Sequence, residues 1–239
     1  MKTDTTLRLT RSQYRKFAEQ VKHAGCALSL STFRAMGNCW GIFDPRAKLT
    51  CMDVSTDDLM FTECANIQLS TSVQTGLMRN ESRPEIDWSA LEDDEIYPFI
   101  VAHEVGHRMD NFCYWDTSRI DDEQIRTRCE STIRSINEVL ADRYAWSQIR
   151  PGEPVPLCEY GKSIQDEVAF DLALMDKYIP RVHREARKLP SGRYLHIPEA
   201  MLLTDSLISY VGTGVSAAAV ISVREKARTY RRDTRSRAR

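Results

Sequence analysis

The chain has 239 residues, 42% hydrophobic and 28% charged, with a formal net charge of −1. It is long enough to bury a full core as one domain, or one domain with an appendage. No apolar run approaches the roughly 20 residues of a membrane span. The polar start Met1-Lys2-Thr3-Asp4-Thr5-Thr6 lacks the apolar centre of a signal peptide, so a cytoplasmic protein is expected. Seven cysteines without a C-x-x-C pair fit reduced thiols in that compartment.

The first predicted element is a helix from Thr10 to Ala24, with Tyr14, Phe17, Ala18 and Val21 on one face. Residues 27–53 read as mixed, with two glycines around Asn38-Cys39-Trp40. Cys64 to Ser70 alternates apolar and polar residues, as a half-buried strand does. Ser89-Ala90-Leu91-Glu92 can serve as a capping box, and Pro98 suits the first turn of a helix over about 98–110.

That helix carries His103-Glu104-Val105-Gly106-His107. Histidines four apart lie on one helix face about one turn apart, so both imidazoles can reach a single metal. Glu104 projects beside them, where it can take a proton from a water on that metal. Val101, Val105, Met109 and Phe112 recur on the opposite side. Gly106 costs about 1 kcal/mol of helix propensity, which makes sense if another backbone passes close by. The following stretch, Arg108 to Asn137, contains six acids, five bases and the aromatics Phe112, Tyr114 and Trp115. It reads as an insertion that could wall a cleft or form a lid.

A hydrolytic zinc needs a third protein ligand. A second helix, about 132–148, supplies Glu138, Ala141, Asp142 and Ala145 as one stripe, with Ile133, Ile136, Leu140 and Tyr144 opposite. Glu138 is the expected ligand, and Asp142 is placed to accept the spare ring N–H of a metal-bound histidine. The small alanines between them suit close helix packing. Asp110 is a weaker alternative ligand, because it shares the helix of His107. Cys113, just beyond, reads as a structural thiol. Pro151 to Pro156 must be a loop, and a long helix follows from about Glu159 to Leu189, interrupted at Pro180. Arg224 to Arg239 carries eight Lys/Arg and two acids. This basic tail is expected to be disordered, with either a solubilising role or weak, salt-sensitive nucleic-acid contact.

HExxH followed by a glutamate helix is the gluzincin arrangement. Ala102-His103-Glu104-Val105-Gly106-His107 with Glu138-x-x-Ala141-Asp142-x-Tyr144-Ala145 resembles the ImmA/IrrE-type metallopeptidases. Ile149-Arg150-Pro151 falls where that family has LLMP, and Leu207 to Ala227 is similar to its later helix–turn–helix-like segment. A metzincin would need a further histidine in the region that reads Arg108-Met109-Asp110-Asn111-Phe112. The resemblance implies an α+β fold: a zincin-like core, mostly helical, with a small antiparallel sheet beside the HExxH helix. Residues 61–73 are then the candidate edge strand for an extended substrate. It implies a metallopeptidase domain over 1–205, a helix–turn–helix-like segment over 206–223 and the basic tail over 224–239. It also implies Zn2+ on His103, His107 and Glu138, with Glu104 as the base.

The expected function is a zinc-dependent endopeptidase with a narrow intracellular protein substrate, a transcriptional repressor if the resemblance extends that far. The alternative is a non-proteolytic regulatory or adaptor protein on the same scaffold, binding DNA or a protein partner. His183, His196, Tyr97, Tyr114 and Tyr144 are the groups from which an oxyanion donor could be drawn.

Overall fold

The computed structural model describes residues 4–53, 59–109 and 114–179, with two short strands at 194–195 and 208–209. Asp110, Cys113, His183, His196, the helix–turn–helix-like segment and the basic tail lie outside the described residues, apart from the strand at 208–209.

The fold is α+β. Strand β1 (Thr6–Arg8) leads into helix α1 (Arg11–His23), which begins at a capping box: Thr10 accepts from the Gln13 amide while the Gln13 side chain accepts from Thr10. Phe17 and Val21 on its inner face are buried. Strand β2 (Ala27–Ser31), the long strand β3 (Gly41–Asp53) and β4 (Leu59–Ser70) follow, then β5 (Ser72–Gln74), which pairs with β1 as a separate ribbon. After the short helix α2 (Thr75–Arg79) come the two long helices, α3 (Ile96–Met109) and α4 (Glu123–Ile149). Helices α5 (Glu159–Ser163) and α6 (Gln165–Tyr178) and strands β6 (Tyr194–Leu195) and β7 (Ile208–Ser209) complete the described elements.

The main sheet has the order β2-β4-β3-β6, with β7 also on β3. It is mixed rather than antiparallel: β2 runs parallel to β4, and β3 antiparallel. Residues 66–70, in the stretch read as either an edge strand or an ordinary sheet strand, are therefore paired on both sides and form an inner strand. β4 lies inside the sheet in strand order, and from Cys64 to Ser70 both of its faces are largely covered: Ala65, Ile67 and Leu69 are buried, but so are Asn66 and Ser70. The alternation was real, yet the polar residues are paired inside the protein, as when the Asn66 amide donates to Ser29 Oγ at 3.0 Å. The strand edge beside the long helices belongs to the first residues of β3.

α3 is buried on both its histidine side and the opposite apolar side. Ile96 to Gly106 is buried almost without interruption, His103 and Glu104 included, whereas Met109 is exposed. The helix starts at Ile96, two residues before the expected start at about 98, and Ser89 does not cap it. Ser89 lies in a 3-10 turn (Trp88–Ala90) capped by Asp87, and the Glu95 carbonyl accepts the first α3 bond, from Phe99. Pro98 still falls in the first turn, where its missing N–H costs nothing.

α4 begins nine residues before the expected start, at an Asp122 cap that accepts from Gln124 and Ile125. Half of the supposed insertion is thus helix, and its extra turns bring Cys129 to join Ile133 in a second core with Val168 and Met175 of α6. The predicted 159–189 helix is broken at Ile164, which closes α5 and precedes α6.

α3 and α4 pack antiparallel. Arg150 at the end of α4 forks onto Glu95 at the start of α3 with two 2.8 Å bonds, and the histidines face Glu138 and Asp142 further along. Gly106 permits the close crossing: a Cβ there would lie 2.8 Å from Ala141 Cα.

Candidate metal centre

The crossing brings three candidate ligands together. His103 Nε2 lies 3.1 Å from His107 Nε2. Glu138 Oε2 is 3.5 Å from His103 Nε2, and Oε1 is 3.4 Å from His107 Nε2. The chosen N, N and O atoms all lie within 4.8 Å of one another, so one ion can touch all three. Two histidines and a carboxylate form a donor set that zinc accepts.

Asp142 stands behind this group with its side chain fully buried. Its Oδ1 is 2.8 Å from His103 Nδ1, which leaves His103 Nε2 directed at the shared point. Trp88 packs edge-on against His103, and Phe99 stacks on the same ring. These contacts fix the imidazole plane.

The neighbours set the charges. With only protein groups around it, His103 is disfavoured as a cation by burial, but its bonds to Asp142 and Glu138 outweigh this and push its pKa up to about 10. Burial would raise the Glu138 carboxyl, but the two histidines and Arg83 hold it well below the usual carboxylate range. Burial pushes the Glu104 carboxyl up, opposed by the charges of His103 and His107.

Glu104 shares a cavity of about 850 Å³ with all three candidate ligands. The aromatic rings of Trp40, Phe43, Trp88 and Phe99 line it, together with Arg83. Gly41 opens β3 directly against Glu104: a Cβ at Gly41 would fall 2.4 Å from Glu104 Oε1. Tyr97 is elsewhere, buried with its hydroxyl donating to the Ser70 carbonyl at 3.1 Å. Tyr144 does not line the cavity.

Sequence reasoning did not find Arg83. Its Nε donates to Asp142 Oδ2 at 3.1 Å and its Nη2 to Glu138 Oε2 at 2.5 Å, while its guanidinium lies 4.3 Å from the centre of the Trp88 ring. It comes from the irregular segment before the Trp88 turn, where no periodicity marks a residue as inward-facing. Gly41 could have been suspected, as a glycine opening a strand often marks close approach by another group.

Comparisons with protein-family models, with curated proteins and with solved structures returned no match. The chemistry of the site therefore rests on its own residues.

Proposed function

We propose that the protein is a zinc-dependent endopeptidase acting on a specific protein substrate, with His103, His107 and Glu138 holding the metal and Glu104 as the base. The observation that carries this reading is the convergence of two imidazoles and a carboxylate within 4.8 Å, with Glu104 on the same cavity. Bound there, zinc would supply Lewis acidity, bringing the pKa of a coordinated water towards about 7. Glu104 takes a proton from the attacking water and returns it to the departing amine. Burial raises its proton affinity, which suits a group that must hold the proton between those two transfers. Asp142 keeps the Nδ1 proton of His103 in place, so that Nε2 presents its lone pair.

The β3 edge supports a peptide substrate. From Gly41 to Asp44 one side of β3 pairs with β4, and no strand among the described residues pairs with the other. An extended peptide can add there as a strand. Pro45, which has no N–H to offer, and the irregularity between Asp44 and Ala47 end that edge. The resemblance to ImmA/IrrE-type peptidases favours a regulatory role, with a transcriptional repressor as the candidate substrate.

Metal analysis of the purified protein is expected to find one zinc per chain, and none in Glu138→Ala. Cells expressing the wild type are expected to contain cleavage products absent from cells expressing Glu104→Gln. Full hydrolysis of the same substrate by zinc-loaded Glu104→Gln would exclude Glu104 as the base.

A further inference from the structure

We propose that Arg83 is a positioning residue of the metal centre, whose guanidinium fork holds Glu138 and Asp142 in the arrangement that zinc binding needs. The inference rests on the zinc reading above. Glu138 and Asp142 are one turn apart on α4, and Arg83 donates to one oxygen of each. The other oxygen of each carboxylate faces a histidine: Asp142 Oδ1 meets His103 Nδ1 at 2.8 Å, and Glu138 Oε1 lies 3.4 Å from His107 Nε2. One planar group thus sets the rotation of both carboxylates, and through Asp142 it also sets His103. A guanidinium presents two parallel N–H groups for this task; an ammonium does not.

Arg83 is itself held. Its side chain is 14% exposed and rests on Trp88, which also packs edge-on against His103. Asp142 is 0% exposed, and a carboxylate buried that deeply requires a paired cation. The neighbouring pair, Arg143 of α4 with Glu85, ties the same irregular segment to the same helix but touches none of the candidate ligands. It serves as an internal control for simple structural anchoring.

The sign of the effect discriminates. By Coulomb attraction alone, removing a cation beside a ligand carboxylate should tighten the binding of a dication. If Arg83 positions the ligands, its removal weakens binding instead.

The test uses the full chain, stripped with a chelator. Zinc affinity is measured by chelator competition for wild type, Arg83→Gln, Arg83→Lys and Arg143→Gln, with thermal unfolding of each. Arg83→Gln is expected to bind zinc about 10–100-fold more weakly, the range for groups that orient ligands. Arg83→Lys should remain clearly weaker than wild type, because an ammonium lacks the planar fork that fixes both carboxylates. Arg143→Gln should melt earlier yet keep its zinc affinity within about twofold, since it leaves the orienting contacts intact. Cobalt substituted for zinc should show altered visible absorption in the Arg83 variants only.

Unchanged or tighter zinc binding in a folded Arg83→Gln protein would overturn the proposal. So would full recovery in Arg83→Lys, or an equal loss in Arg143→Gln. If Arg83→Gln does not fold, the lysine variant decides by the same criterion. A wild type that binds no zinc would instead overturn the underlying metal reading, and this inference with it.

Discussion

Gly106 and Gly41 place the sharpest single-atom demands on the site. A methyl at Gly106 would press on the Ala141 backbone, which cannot rotate away as a side chain can. Overpacking of that kind costs about 1–3 kcal/mol, only partly offset by the gain of about 1 kcal/mol in helix propensity. Gly106→Ala should therefore lower Tm by a few degrees (roughly 2–4 °C for each kcal/mol lost) and loosen zinc by spreading α3 from α4. Scanning calorimetry with metal analysis checks both. A methyl at Gly41 would meet the Glu104 side chain first, at its Cγ and carboxylate; the expected signature of Gly41→Ala is a lower kcat with zinc content retained. At this scale the sequence was legible where function is local: i, i+4 spacing within one helix placed His103 with His107 and Glu138 with Asp142. It was silent on Arg83 and Trp88, whose roles arise only when an irregular segment folds across α4.

Elements were legible as types more than as limits or neighbours. The α1 helix and the strand character of residues 64–70 follow directly from local pattern. Neighbourhood does not, because period-2 alternation reports a pleat and cannot distinguish water from a buried hydrogen-bond partner such as Ser29. Likewise, the first turns of α4 look charged and detached in sequence, but they are needed to carry the second core against α6. The anchoring pair at this scale is Arg143–Glu85. Glu85 is 1% exposed and also accepts from Gln165, whereas Arg143 is 35% exposed. Removing the arginine strands a buried carboxylate, and the partial exposure places the cost at the low end of the usual range, about 3 kcal/mol. Urea unfolding of Arg143→Gln should show that loss as a lower midpoint at an unchanged m-value.

For the whole molecule, two buried acids set an alkaline limit. Burial pushes the Cys26 thiol up to about 11, with Arg108 opposing, and the Tyr97 hydroxyl up to about 12, opposed by the Leu9 backbone. Both groups fold in the neutral form, and both ionise earlier once unfolded, near 9.0 and 10.0. Their contribution is complete below pH 9 and is lost as pH climbs through 11 and 12, because the unfolded chain releases its protons first. These two groups should thus leave the unfolding free energy of zinc-loaded protein undiminished up to about pH 9 and lower it above that. Tyr97→Phe should delay the upper part of that decline, and Cys26→Ala the lower part. Among the described residues no helix is long and apolar enough to cross a membrane.

β3 also has a consequence for how the molecule is made. Its first residues border the cavity and need only β4, the next strand along the chain. Its last residues pair with Tyr194–Leu195 and Ile208–Ser209, which leave the ribosome long after the strand itself. Closing contacts of such wide sequence separation is slow. During synthesis, the end of β3 that borders the cavity therefore reaches its final pairing early, while the other end still lacks two of its partners, a state prone to pairing with other chains. The candidate ligands on α3 and α4 require nothing beyond Ile149, so a metal bound there early would tie the two helices together before the final strands arrive.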